Sequence, residues 1–298
     1  MKLGTKLLLS VLFNLSITLA EFLGGLISGS LALMSDSLHN ATDTVSILFA
    51  YFGHRIAKRK GNERFTYGYK RAEIISALTN AVFMIIVSVF LFYKGVKRFV
   101  KPEVIDLNVM LPVAIVGLLG NLLTIVFLHG EKGLNVRAAL IHIISDLLSS
   151  VLVITAGIVM KNTGILWPDA LFTVGISVYL FIMGIRVYLE SASILMQAVP
   201  KGWSVSKVSN SLKELEFVKD VHHVHLWTLD GEKVYAELHM VVKDGYDKLK
   251  AFRKIQEKLE KVGIDHATFQ IEEEGYHEDL DEIEHRFDEE DFHGHKGG

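Results

Sequence analysis

Residues 39–43 read HNATD and residues 142–146 read HIISD, so in each stretch a histidine is followed four residues later by an aspartate. On a helix, residues four apart lie on one face about one turn apart. His39 with Asp43, and His142 with Asp146, therefore each present an imidazole and a carboxylate on the same side. Each pair is half of a coordination shell. If the two helices face each other, four ligands converge, a set that suits tetrahedral zinc with bonds of about 2.0–2.2 Å. The chain has no cysteine, which excludes disulfides and thiolate ligands and leaves histidine and carboxylate to hold any metal.

Both pairs sit in stretches that read as membrane. Of 298 residues half are hydrophobic and 22% charged, and the mean hydropathy is +0.33, too apolar for a soluble chain of this length. A span needs about 20 mostly apolar residues. Six stretches qualify, near 7–27, 31–57, 73–95, 108–128, 136–160 and 168–190. An ionisable group at the bilayer centre costs roughly 2.5–3.5 kcal/mol on insertion scales, so four of them together point to function. The plainer reading makes each pair a buried hydrogen-bonded couple that holds helices together, and two identical spacings on separate spans weigh against it. Asp36, three residues before His39, is expected to cap its span or to guide ions. Glu21, Asn40, Asn80 and Asn121 are expected to form interhelical hydrogen bonds, and a GxxxG from Gly25 to Gly29 allows close helix approach.

Lysine and arginine in short loops set the orientation. The link between the second and third spans holds Arg55, Lys58, Arg59, Lys60, Arg64, Lys70 and Arg71, and the start of the chain holds Lys2 and Lys6. Both are expected in the cytoplasm, which places both termini there and makes this a multi-pass protein of the cell (inner) membrane. Lys94, Lys97, Arg98 and Lys101 run against that assignment. The first span is long and interrupted by Asn14 and Glu21, so it reads as a retained helix rather than a cleaved signal. From Tyr276 onward nine acids and four histidines fall within 23 residues, a composition expected to be disordered.

The runs GGLISGSLALMSDSLHNATDTVSILFAYFG, FTYGYKRAEIISALTNA, NVRAALIHIISDLLSSVLVI and WPDA resemble the cation diffusion facilitator family, its zinc-transporting branch in particular, over about residues 7–275. The resemblance implies a membrane α-helical bundle of six transmembrane helices (1–200), a C-terminal cytoplasmic α+β metallochaperone-like domain (201–275) and a homodimer. It also implies export of divalent metal in exchange for protons. The family's transport ligands map onto His39, Asp43, His142 and Asp146, and histidine at the first position resembles the zinc-selective members. Two departures follow from the residues present. A further site that some members hold near the FG motif is not expected, since Phe65 and Tyr69 occupy those positions. The HGEKG link before the fifth span carries His129 alone where other members have a histidine-rich loop. HGH at 293–295, in the segment 276–298, is a candidate for weak metal collection or a remnant of expression.

The C-terminal residues read independently. Apolar spacing predicts helices over 204–216 and 247–262, and alternation predicts strands over 221–229, 233–242 and 266–272, the first two joined by a DG turn. Strict alternation puts His223 and His225 on one strand face and His222 on the other. The resemblance carries metal-ligand roles onto His225, His239, His266 and Glu272, with His222 and His223 as further candidates; the alternative is a polar strand face at a dimer contact.

Histidine must be neutral to bind metal, and its ordinary pKa near 6.5 lets protons compete with the ion. Exchange follows if the site loads in a neutral cytoplasm and empties to a more acidic exterior. No HExxH appears, so a membrane metalloprotease is not expected, nor is any other enzyme. A passive divalent-metal channel and a membrane-anchored zinc sensor are the alternatives. The partners expected are divalent metal ions with zinc first, protons, the lipid bilayer and a second copy of the chain, with no nucleic acid among them.

Overall fold

The computed structural model describes the backbone of residues 3–128 and 134–272 and the side chains of 12–126 and 143–272. Six long helices come first: α1 Leu3–Ser28, α2 Leu31–Ala57, α3 Ala72–Val100, α4 Leu107–Leu128, α5 Leu134–Thr163 and α6 Trp167–Leu195. At 1.5 Å per residue each exceeds the roughly 30 Å of a hydrocarbon layer. Within the described residues α3, α4, α5 and α6 are apolar enough to cross a membrane on composition alone, and Leu12–Ser28 is a shorter apolar part of α1. The α2 sequence carries Asp36, His39, Asn40 and Asp43, and that polar load is what a helix built around a site costs in hydropathy.

Burial runs opposite to that of a soluble protein. Leu19, Ile27, Ile86, Leu123 and Leu148 are between 59% and 73% exposed, whereas Glu21, Asp36, Asn40, Asn121, Asp146 and Asp169 are buried. Lipid on the outside explains both halves, because apolar side chains gain nothing by leaving it while polar ones must turn inward. Helix α1 packs on α2 and α4, α4 on α5, and α5 on α2, with α3 along α2. Leu91 of α3 and Leu180 of α6 share an apolar cluster with Met84. Close approach is set by small residues, as at Gly184, where an added Cβ would lie 2.9 Å from Ile85.

The GxxxG glycines serve the corner between α1 and α2. A Cβ at Gly25 would come within 2.8 Å of the Met34 nitrogen, and Gly29 adopts φ +71°, a conformation that favours glycine. Ser30 then caps α2, its hydroxyl accepting from the Leu33 N–H at 3.2 Å. Asp36 lies a full turn and more inside that helix and is 1% exposed, so the expectation that it caps the span is corrected.

A second compact unit begins at Ala192. In it α7 Val205–Lys213, β1 Val218–Thr228, β2 Val234–Val242, α8 Lys248–Val262 and β3 His266–Glu272 follow in order. The sheet order is β1-β2-β3, with β1 antiparallel to β2 and β2 parallel to β3. Parallel pairing needs a crossover, which α8 supplies. That helix starts at the Asp247 cap and stops at Gly263, φ +102°. Val208, Leu212, Leu226, Leu238, Met240, Ile255 and Leu259 form the core between helices and sheet. The opposite face of β2 carries Tyr235, Glu237 and His239, none of them buried.

Candidate metal centres

The intramembrane centre is assembled by two helices. On α2, His39 Nε2 lies 3.9 Å from Asp43 Oδ2, one turn apart as the spacing requires. Asp146 of α5, fully buried, brings a third group able to bind a metal: one atom each from His39, Asp43 and Asp146 lie within 4.8 Å of one another. Ligands on one tetrahedral zinc are about 3.3 Å apart, given bonds near 2.0 Å, so an ion would draw His39 and Asp43 together from 3.9 Å. Tyr179 of α6 meets the His39 ring edge-on at 5.9 Å and restricts its rotation. His142 stands on α5 one turn before Asp146, and its side chain lies outside the described residues. So do His129 and the segment 276–298 with its HGH.

Around this centre the polar groups form a layer. Asn40 Nδ2 donates to Glu21 Oε2 at 3.5 Å, joining α1 to α2, and Ser46 Oγ donates to Asn80 Oδ1 at 3.0 Å, joining α2 to α3. These are interhelical bonds of the kind the sequence leads one to expect. Asn121 is buried, and its Nδ2 makes no hydrogen bond among the described residues. Glu21 of α1 and Asp36 of α2 are, like Asp146 of α5, buried inside the helical unit. Glu21 touches Gly117 of α4, where a Cβ would clash with the carboxylate.

At the far end of α2 a residue that the sequence left without a role is central. Asp169, the aspartate of WPDA, accepts from Ser30 Oγ at 2.6 Å, Leu31 N at 3.1 Å and Ala32 N at 3.0 Å. A carboxylate there satisfies orphan N–H groups and the positive end of the helix dipole together. Arg98 of α3 stands 3.6 Å from Asp169 and also donates to Gly29 O and to Glu103. A cation at this end of α3, which runs against the expected orientation, thus has a structural cause, since it is a buried, paired side chain.

The second centre lies on the outer face of the C-terminal sheet. His222 Nε2 is 3.2 Å from Glu272 Oε2, and His239 Nδ1 is 2.8 Å from Glu272 Oε1. The latter contact is not aligned as a hydrogen bond, an arrangement suited to ligands that point at a common ion. His222 also has Nδ1 3.1 Å from Asp220 Oδ2. A hydrogen bond from Lys213 is the largest cause holding the Asp220 carboxyl below its ordinary pKa. An ionised Asp220 fixes the Nδ1–H tautomer and aims Nε2 outward, as carboxylates that stand behind metal-binding histidines do.

Of the expected candidates in this domain, the structure brings His222, His239 and Glu272 together and leaves His225 and His266 apart from them. The register of β1 slips between His222 and His225, with His223 at φ +48°. This bulge adds one residue, so His222 pairs with His239 and shares its face, against simple alternation. His225 pairs with Glu237, about 7 Å along β2 from His239, and His266 pairs with Tyr235, about 13 Å away at 3.3 Å per residue. The His223 ring meets the His222 ring edge-on at 5.4 Å and lies tilted against that of His239 at 5.2 Å.

Known proteins place the chain. Residues 7–196 match the model of the cation efflux transmembrane domain, and residues 200–274 that of the cation efflux protein cytoplasmic domain. A "Cadmium, cobalt and zinc/H(+)-K(+) antiporter" of Bacillus subtilis (strain 168) is 32% identical over 280 residues, covering 92% of this chain and 90% of that one. "Zinc transporter ZitB" of Pectobacterium atrosepticum is 36% identical over 272 residues (90% and 85%), and that of Escherichia coli (strain K12) 33% over 264 residues (87% and 84%). With both domain models matched in order along the helical unit and the sheet unit, the chain belongs to the cation efflux family, the cation diffusion facilitators, and is a membrane transporter rather than an enzyme.

Proposed function

We propose that the protein exports zinc from the cytoplasm in exchange for protons, with His39, Asp43 and Asp146 as ligands of the transported ion and His142 as the fourth. The observation that carries this is the convergence of His39, Asp43 and Asp146 across α2 and α5 in a membrane unit. Nitrogen and carboxylate donors with no sulfur suit zinc, and the relatives named for zinc transport and for zinc/proton exchange support the same cargo. Spacing on α5 puts His142 one turn from Asp146, which completes two imidazoles and two carboxylates.

Exchange follows from the chemistry of the ligands. Imidazole binds metal only when neutral, so protons and zinc compete for one set of lone pairs. A site that opens alternately to each side takes zinc where protons are scarce and yields it where they are plentiful. The cytoplasmic side is the one with the loop of Arg55 to Arg71, which puts both termini there. In the C-terminal domain His222, His239 and Glu272 hold a second zinc ion, and the chain works as a dimer through that domain, a reading supported by its match to the family's cytoplasmic domain.

The test is reconstitution in vesicles carrying a pH-sensitive dye inside and an imposed proton gradient. Added zinc should enter with proton movement in the opposite direction for the wild type, and neither should occur for Asp43→Ala or Asp146→Ala. Zinc entry that leaves internal pH untouched contradicts exchange and makes the protein a channel.

A further inference from the structure

We propose that His54 and Glu73 form a first station for the divalent metal ion, at the mouth of a vestibule that leads along α2 to the His39, Asp43 and Asp146 cluster; this rests on the transport reading above. A cavity of about 470 Å³ lies between α2, α3 and α6, lined among others by Ser46, His54, Glu73, Ser76, Asn80 and Val187. On α2 the positions 39, 43, 46, 50 and 54 fall on one face at 3.6 residues per turn. Ser46 is thus the first side chain of the cavity beyond Asp43, and His54 the last before the loop. The distance along the helix from Asp43 to His54 is about 16 Å at 1.5 Å per residue. Polar oxygens line the way, Ser46 Oγ and Asn80 Oδ1 being 3.0 Å apart.

At the mouth, His54 Nδ1 and Glu73 Oε1 stand 2.6 Å apart, with side chains 58% and 35% exposed. The helices are held close at that level by Gly53, where a Cβ would lie 2.6 Å from Ser76 Oγ. A mobile ion from solution can reach both atoms. An imidazole nitrogen and a carboxylate oxygen are the same donor types as in the buried cluster, and an opening of the pair to about 3.3 Å would let both sit on one zinc ion with water filling the remaining positions. Two protein ligands hold the ion less firmly than the larger cluster above, so the ion is captured at the mouth and passed inward. Ser46 and Asn80 offer only neutral oxygens, which suit an ion in transit rather than one at rest.

The experiment measures zinc uptake into vesicles as a function of zinc concentration for wild type, His54→Ala, Glu73→Gln and Glu73→Asp, beside Asp146→Ala. The amide introduced by Glu73→Gln can still accept a hydrogen bond from His54 but lacks the charge, so that variant separates ligation from helix pairing. The proposal expects KM to rise about three- to tenfold in His54→Ala and Glu73→Gln with kcat little changed, the signature of lost ground-state binding. Glu73→Asp should recover most of the wild-type KM. An unchanged KM in Glu73→Gln, or a fall in kcat with KM constant, overturns the station and leaves the pair a helix contact. A wild type that moves no zinc at all defeats the transport reading itself, a result distinct from either.

Discussion

Replacing Asp169 by alanine should unseat α2, the helix that carries His39 and Asp43. The carboxylate accepts one hydroxyl and two backbone N–H groups at the start of that helix, at 2.6–3.1 Å, and it faces the buried Arg98 guanidinium at 3.6 Å. Loss of a helix cap costs about 1 kcal/mol. Stranding a buried charge costs about 3–5 kcal/mol when no partner remains, but Arg98 keeps Glu103 at 2.8 Å, so about 2–3 kcal/mol is the better figure. Asp169→Ala should therefore destabilise the membrane unit by about 3–4 kcal/mol. Asp169→Asn keeps one oxygen for Ser30 Oγ and Ala32 N but sets an amide nitrogen against the Leu31 N–H and Arg98, for about 1–3 kcal/mol. Equilibrium unfolding in mixed micelles reads both. Asp169→Ala within about 0.5 kcal/mol of wild type would refute the claim that this carboxylate anchors α2.

Glu272→Ala and His239→Ala should each abolish the rise in thermal stability that added zinc gives the C-terminal domain, whereas His225→Ala and His266→Ala should keep it; differential scanning of full-length protein with and without zinc decides. Asp220, whose folded pKa is depressed, contributes stability that is fully present above its unfolded pKa near 3.9 and is lost as pH falls through the lower folded value. Acid unfolding curves of wild type and Asp220→Asn should thus differ above about pH 4 and converge below it. Leu238→Ala, at a fully buried position between sheet and helices, should cost about 2–5 kcal/mol in denaturant unfolding of that domain. Gly117→Val would push into the Glu21 carboxylate and should lower zinc uptake although it touches no ligand.

What the sequence discloses and what it hides divide along local and non-local lines. The pairing of His39 with Asp43 needs only helical geometry, and two half-shells on separate spans point to the α2 and α5 contact. Strand and helix positions in the C-terminal domain are equally legible, down to the turn at Gly231, φ +83°. His222 falls on the wrong face under strict alternation because one bulged residue at His223 rephases the strand, and a non-glycine at φ +48° leaves no mark in the composition. His266 is set apart from His239 by register, which pairing across β2 sets rather than any feature of β3. Asp36 lies five residues inside a span whose start at residue 31 is legible, and Gly29 and Ser30 are the available signal for the cap, a turn glycine followed by a capping serine. The partners of Asp169 lie nearly 140 residues away, and no spacing within WPDA could reveal them.

X-ray absorption at the zinc edge tests the central claim most directly, on protein in which His222→Ala and His239→Ala remove the competing C-terminal site. The account predicts one zinc ion in a four-coordinate nitrogen and oxygen shell at about 2.0–2.1 Å with histidine scattering, lost on adding Asp146→Ala. An unaltered zinc shell in the Asp146→Ala protein would contradict it, because the ion would then lie somewhere other than between α2 and α5.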